Sequence, residues 1–486
     1  MEEQRSGGSL WTLVAIFLLL ILFFITNPLN LEWSALKVVS VAIMMVTLWV
    51  TEILPMPVVS LIPLVVFPLT GIMNMEDTAK AYANPVIFLF LGGFLLSLAI
   101  EKWHMHQRMA LWIISKTGTS GNHIILGFML ATGLLSMWLS NTATTMMMYP
   151  IALSVLHMVM KNRQENANYK NFGVAIMLAI AYAANLGGIA TPIGTPPNVA
   201  FLSFYQEKYN QDIDFAQWMM IGFPVAIVLI LFIYFVMVKW LFPNAIGANT
   251  ASAIYFKEEK DKLGPISISE KRVLTVFLIT SGLWIFRTLI NDMQSFVKLD
   301  DTIIAIFGAI LLFIIPSGKA VYAAVAKPSK FLLDWSDTSK MSWGTLLLFG
   351  GGISLANGLE KSGILQVLSA WLTSSPFHPF VLLVMVTVIS VFLSEVMSNV
   401  AQVIVFAPLV MTIADQVGMH PLMLGIPMTM AASCSGMLPM GTPPNAIVFA
   451  GNHLRLIDMV KAGLILNIMA VILISLICWY LIPVIW

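Results

Sequence analysis

The chain has 486 residues, 59% of them hydrophobic and only 10% charged, against roughly 25% charged residues in ordinary soluble domains. That balance excludes a water-soluble globular protein and describes an integral membrane protein whose main partner is the lipid bilayer. Its 25 Lys+Arg nearly match its 24 Asp+Glu, and its two cysteines, Cys434 and Cys478, lie in apolar stretches, so neither nucleic acid, a disulfide framework nor a cysteine zinc site is expected.

In chain order, the first apolar run, Leu10–Ile25, nearly crosses a hydrocarbon core of ~30 Å. It reads as a retained helix within an N-terminal unit 1–34, because Arg5 is opposed by Glu2 and Glu3 and Asn27-Pro28-Leu29-Asn30 is no small-residue cleavage site. Apolar stretches follow near 35–54, 57–73 and 85–100. His104 and His106, with Lys102 and Arg108, then form a mixed stretch. On a helix the two imidazoles point apart, so an interfacial helix is expected rather than a metal pair, with an outer counterpart around Leu359–Thr373. The stretch 122–160 is broken by Leu139-Ser140-Asn141-Thr142-Ala143 and is either two spans or a re-entrant hairpin. The stretch 172–206 is broken by Thr191-Pro192-Ile193-Gly194-Thr195-Pro196-Pro197-Asn198, where proline removes donors and glycine permits unusual dihedrals. After 217–243, the polar segment 244–271 reads as a cytoplasmic connector, and further stretches lie near 272–291, 302–316, 343–358, 379–414, 421–452 and 458–485. With the N-terminus in the cytoplasm and 172–206 counted as one crossing, nineteen of the 25 Lys and Arg are cytoplasmic. This bias supports that orientation in the cell inner (plasma) membrane, with 11 crossings and the C-terminus outside.

The chain also repeats itself. An offset of 258 carries Gly92-Gly93 onto Gly350-Gly351, Ser140-Asn141 onto Ser398-Asn399 and Pro150 onto Pro408; an offset of 247 carries Gly194-Thr195-Pro196-Pro197-Asn198 onto Gly441-Thr442-Pro443-Pro444-Asn445. Each copy, 35–243 and 272–486, holds five crossings and a hairpin (122–160 and 379–414). Five is odd, so the second copy enters from the opposite face. The expected architecture is an all-α polytopic protein of 11 transmembrane helices in two inverted five-helix repeats, with broken helices 172–206 and 421–452. This arrangement is characteristic of secondary transporters.

Irregular backbone at membrane depth is tolerated where protein or water satisfies it, so four matched breaks imply tips converging on one wet cavity. Half-helices starting at Asn141-Thr142 and Asn399-Val400 would favour an anion. Carbonyls around Gly194 and Gly441, with the Thr195 and Thr442 hydroxyls, suit a hard cation such as sodium. The four broken segments contain no Lys or Arg, and Glu395 is their one acid. An anionic ligand there must be met by helix ends, amides, hydroxyls and co-bound cations. Glu395 itself is either a proton-coupling group or a structural partner for hydroxyls or amides beside the tip.

Ser140-Asn141-Thr142 and Ser398-Asn399-Val400, with the paired Gly-Thr-Pro-Pro-Asn segments, resemble the divalent anion:sodium symporter family of sodium–dicarboxylate, sodium–citrate and sodium–sulfate cotransporters. The resemblance runs from about residue 35 to the C-terminus. It implies re-entrant hairpins tipped by the Ser-Asn-Thr motifs, one sodium held by each tip and break, a homodimer and an elevator mechanism. Carried over by position, one sodium site would use Ser136, Ser140, Asn141 and Gly194, and the other Ser394, Asn399 and Gly441. The substrate would meet Asn141, Thr142, Thr195, Asn399, Val400 and Thr442, and Val400 offers no hydroxyl where Thr142 has one.

A hydrolase would need a nucleophile and base or a metal cluster at membrane depth; all seven histidines lie near segment ends, so no enzyme is expected. A cation/proton antiporter would need an intramembrane carboxylate pair, and Glu395 stands alone. The expected function is sodium-coupled import of a small dianion, a C4-dicarboxylate such as succinate, malate or fumarate. Sodium-independent dicarboxylate exchange and citrate or sulfate symport are the alternatives.

Overall fold

The computed structural model describes residues 18–19, 21–28, 31–51, 53–161, 167–248, 250–318, 330–367, 378–451 and 453–486. Much of the first apolar run, Leu10–Phe17, and the end of the expected outer interfacial helix, 368–373, lie outside these residues. Among the described residues no strand forms beyond an isolated bridge between Pro316 and Phe331.

The first half contains α1 (Trp33–Thr51), α2 (Met56–Val59), α3 (Ile62–Thr70), α4 (Met75–Lys80), α5 (Pro85–Lys102), α6 (Met105–Thr117), α7 (Gly121–Ser136), α8 (Asn141–Lys161), α9 (Tyr169–Ile189), α10 (Pro196–Tyr209), α11 (Phe215–Val236) and α12 (Thr250–Lys262). The second contains α13 (Ile268–Met293), α14 (Asp301–Ile314), α15 (Trp343–Lys361), α16 (Pro379–Leu393), α17 (Asn399–Gln416), α18 (Leu422–Ala432), α19 (Pro443–Ala450) and α20 (Leu456–Ile485). Among the described residues, 8 helical stretches are long and apolar enough to cross a membrane, and shorter apolar helices accompany them. The protein is an all-helical, multi-pass membrane protein.

Local chemistry sets the helix ends. Asn84 accepts from Val86 N ahead of Pro85, Asp214 and Gln217 close a capping box on α11, and Ser267 and Glu270 do the same on α13. The apolar stretch 57–73 is not one helix but α2 and α3, each with proline in its first turn, where the missing N–H does no harm. Two arms are short for their surroundings: α7 has 16 residues and α16 has 15, about 24 and 22 Å of helix at 1.5 Å per residue, below a ~30 Å core.

Helix α9 occupies the centre, with every residue from Phe172 to Ile189 buried. It packs along α7 and also touches α8, α11 and α19. Around it, α10 lies against α17 and α19 against α8. The helix that follows each break therefore packs on the helix that starts at Asn141 or Asn399 in the other half of the chain, which gathers four interrupted elements into one region.

Candidate functional site

The first tip is built where α7 ends and α8 begins. Ser136 Oγ lies 2.8 Å from Asn141 Oδ1 and 2.8 Å from Ala184 O. Reversed, the Asn141 amide nitrogen would donate to Ser136 Oγ at 2.8 Å, Ala184 O at 3.2 Å and Gly194 O at 3.3 Å. The two orientations have different chemistry. With nitrogen inward, hydrogen bonds close the cluster; with oxygen inward, the Asn141 and Ser136 side chains and two carbonyls form a cage of four oxygens, the donor set of a hard cation. Ser140 Oγ accepts from Ala143 N at 3.2 Å and caps the new helix.

The first break, residues 190–195 between α9 and α10, is tied down by neutral groups. Thr191 Oγ1 donates to Met137 O (2.5 Å), and Asn198 Nδ2 donates to Gly188 O (3.1 Å) and Thr191 O (2.8 Å). Thr195 precedes Pro196-Pro197 in an extended conformation, φ −144° and ψ 142°. A Cβ on Gly188 would stand 2.6 Å from Asn141 Oδ1 and 3.1 Å from Thr195 Cβ, so the tip amide, the break and α9 meet with no room for a side chain between them. Thr142 is half-buried beside them.

At the second tip, Asn399 starts α17, and its Oδ1 is buried without a hydrogen-bond partner. Ser394 differs from Ser136: its hydroxyl donates to Val391 O at 2.7 Å, back along its own helix. Val400 is half-buried and packs against the core. The second break, residues 433–442, is longer and ends at Thr442, whose φ −144° and ψ 152° nearly repeat those of Thr195. Thr442 Oγ1 accepts from Asn445 N at 3.4 Å. Glu395, 4% exposed, accepts from the backbone N–H groups of Gly436, Met437 and Leu438 and from Asn467 Nδ2. Of the two roles expected for this acid, the geometry is that of a partner to amides.

Asn185 ties the central helix to the second break. Near the C-terminal end of α9, one turn before the first break, its Nδ2 donates to Thr442 Oγ1 (2.9 Å) and Asn445 Oδ1 (3.3 Å). Neither Asn185 nor Asn467 was singled out from the sequence. The available signal was a carboxamide set within a long apolar run of each helix, since a buried polar group must find partners.

A cavity of ≈ 1060 Å³ reaches Leu139 and Ala143, on either side of the first tip, and is rimmed by Glu101, Lys102, His104, Asp337 and Lys340. At the second half a cleft of only ≈ 20 Å³ is lined by Glu207, Lys208, Ala356, Glu360, Leu365, Pro408 and Met411. The two are counterparts: Leu98, Lys102, Gln107 and Pro150 of the first lie 258 positions before Ala356, Glu360, Leu365 and Pro408 of the second. The closed cleft is bordered by Glu207, which accepts from Asn84 (3.4 Å) and Asn357 (3.2 Å), and by the Lys208–Asp415 ion pair at 2.8 Å.

The histidine pair corrects one expectation. His104 precedes α6 at φ 55°, so the two residues do not share a helix, and their rings lie 6.1 Å apart instead of pointing away from each other. His106 Nδ1 is bonded to Ile100 O at 3.0 Å, and burial pushes its imidazole down to about 4. Among the described residues no group of three or more His, Cys, Asp or Glu could hold a metal ion.

Comparison with known proteins places these features in context. The family described as the sodium:sulfate symporter transmembrane region matches residues 8–486. The chain is 38% identical over 492 residues to the sodium-dependent dicarboxylate transporter SdcS of Staphylococcus aureus, covering 100% of this chain and 93% of that protein. It is 37% identical to SdcS of Staphylococcus saprophyticus, with 99% and 93% covered. The fold is similar to the YdaH transporter of Alcanivorax borkumensis (TM-score 0.56, 13% identity, 85% of this chain and 88% of that one). It is also similar to MtrF of Neisseria gonorrhoeae (TM-score 0.53, 14% identity, 85% and 84% covered).

Proposed function

The chain belongs to the sodium:sulfate symporter family, and from that premise we propose that it imports a C4-dicarboxylate such as succinate, malate or fumarate, coupled to sodium. The observation that carries this reading is the polar cluster at the first tip, where the Asn141 amide and Ser136 Oγ lie against the carbonyls of Ala184 and Gly194 and, with the Asn141 oxygen turned inward, offer four oxygens to an ion. Such a cluster takes a cation, and a ligand bound beside two cations, in a region free of Lys and Arg, is a dianion. The curated relatives named above are sodium-dependent dicarboxylate transporters, which supports the same substrate class.

In this reading the first sodium is held by Ser136, Ser140, Asn141 and Gly194, and the second by Asn399 and Gly441. The substrate carboxylates lie between the two tips, near Thr142, Thr195, Val400 and Thr442. Ser394 enters the second site only after a rotamer change, because its hydroxyl is committed to Val391 O.

The two halves work as inverted repeats, with the hairpins re-entrant and the N-terminus cytoplasmic. Matched helix starts at Asn141 and Asn399, the short α7 and α16 arms and the nearly identical dihedrals at Thr195 and Thr442 support that arrangement. The large cavity at the first tip is rimmed by Lys102 and Lys340, which lie on the Lys-rich side in the proposed orientation, and this supports an inward-open reading of the state. Alternation follows an elevator path, within a homodimer.

The test is uptake of radiolabelled succinate into proteoliposomes with and without an inward sodium gradient, repeated with unlabelled dicarboxylate inside. Sodium-requiring, sigmoidal uptake is the expected result. Uptake that appears only with internal dicarboxylate and ignores sodium would make the protein an exchanger and remove both cation assignments.

A further inference from the structure

The second break leaves backbone donors that no helix satisfies, and at membrane depth unpaired N–H groups are costly. Three of them in succession converge on one carboxylate. Glu395 Oε1 accepts from Gly436 N at 2.8 Å, Met437 N at 3.0 Å and Asn467 Nδ2 at 2.7 Å, and Oε2 accepts from Met437 N at 3.1 Å and Leu438 N at 3.0 Å. Successive N–H groups forming a concavity are an anion nest. Here the anion is the protein's own side chain, delivered from the loop just before the Asn399 tip.

The nest borders the proposed cation. A Cβ added to Gly441 would stand 3.3 Å from Glu395 Oε2, 3.3 Å from Ser435 Oγ and 3.4 Å from Leu438 O. Asn445 Nδ2 ties down the same stretch by donating to Ser435 O (3.3 Å) and Leu438 O (3.1 Å). Ser435 is 1% exposed, yet its hydroxyl has no partner, and Asn399 Oδ1 on the tip is likewise unpaired. A buried unsatisfied hydroxyl is unfavourable, so its retention beside a carboxylate calls for an occupant that accepts oxygen donors.

We infer that Glu395 and Ser435 complete the second cation site: Ser435 Oγ is a ligand, and Glu395 is a positioning residue that fixes the 436–438 backbone so that the Gly441 and Ser435 oxygens face the ion. The inference rests on the sodium symport proposed above and extends it to residues outside the tip and break motifs. The carboxylate also lends its charge. An anion beside a cation site raises affinity by direct Coulomb attraction, most strongly where water is excluded. Both of its oxygens are engaged by donors, which fits a positioning role.

The test measures sodium-dependent thermal stabilisation of the purified full-length protein, with choline chloride holding ionic strength constant, for wild type, Ser435→Ala, Glu395→Gln and Glu395→Asp. Ser435→Ala keeps the wild-type melting temperature in choline, because it removes only an unpaired hydroxyl, but requires about tenfold more sodium for half-maximal stabilisation, equivalent to about 1.4 kcal/mol. Glu395→Gln shifts the sodium dependence at least as far, and Glu395→Asp falls between. The pH profile of succinate uptake at saturating sodium is the same in Glu395→Gln as in wild type. Unchanged sodium half-saturation in Ser435→Ala overturns the ligand assignment, and a flattened pH profile in Glu395→Gln replaces positioning with proton transfer. If Glu395→Gln does not fold, the Asp and Ser435 variants decide. A wild type that sodium fails to stabilise sinks the symport reading itself, whereas a responsive wild type with unresponsive variants sinks only this inference.

Discussion

The two clefts at matched positions have opposite shapes. The first is a cavity of ≈ 1060 Å³ beside the Asn141 tip, and the second is a closed seam of ≈ 20 Å³ along the α17 arm. Both are bordered by polar contacts between distant parts of the chain. Around the open cavity these are ion pairs, Lys102 with Asp337 at 2.6 Å and Arg108 with Glu270 at 2.9 Å; around the seam, Glu207 on α10 accepts from the neutral amides of Asn84 and Asn357. In the proposed alternating-access cycle these polar contacts would have to exchange, whereas the tips begin their helices alike.

The tips themselves are the sharpest point at which to break the pattern. Asn141→Ala or Asn399→Ala should lower succinate uptake in proteoliposomes by at least about 100-fold, about 2.7 kcal/mol, while purified yield and helical circular dichroism stay at wild-type levels. Normal uptake in either variant would remove the proposed site. Next comes accessibility, for which Cys434 and Cys478 give little background because both are buried. Met146→Cys, on a residue 61% exposed at the cavity, should label rapidly with a membrane-impermeant maleimide applied from the cytoplasmic side, and Met411→Cys, on a residue 1% exposed in the seam, should resist. Comparable labelling of both would refute the asymmetry.

Loosening the seam is a smaller perturbation. Glu207→Ala removes both amide contacts and should speed labelling of Met411→Cys about fivefold, about 1 kcal/mol, with Met146→Cys labelling reduced in step if the two clefts alternate. The last prediction concerns the pH dependence of stability and not transport. Burial lowers the His106 imidazole from 6.5 to about 4, so the folded state favours its neutral form. Its contribution to stability is complete above 6.5 and is lost as pH falls from 6.5 towards 4, by up to about 1.4 kcal/mol per pH unit. His106→Asn should flatten the melting temperature across that window.

Much of this was legible in the sequence because it depends on backbone-breaking residues in repeated order. Asn141, Asn399, Thr195 and Thr442 all sit at helix starts, where proline pairs and amide side chains direct them. The links between the halves were not legible. Asn185 meets Thr442 across a sequence separation of 257, and nothing local marks that pairing. Glu395 was visible as an acid, but its partners are backbone N–H groups whose availability follows only from the unwound path of 436–438. Ser394 looked equivalent to Ser136 by spacing, yet its hydroxyl turns back to Val391 O, a common local bond for serine in a helix. The left-handed backbone at His104 also has no sequence marker of the usual glycine or asparagine kind.

The absence of Lys and Arg from the four broken segments has an electrical consequence. Glu395, the one acidic residue there, belongs to the protein in both the loaded and the empty site, so in the proposed cycle the two states differ by the charges of their passengers. With two sodium ions and a dianion that difference is zero, and membrane voltage does no work on the loaded step relative to the empty return. Each additional sodium would move one charge and add about 2.3 kcal/mol of driving force per 100 mV. Uptake driven by a potassium diffusion potential thus counts the coupled ions directly.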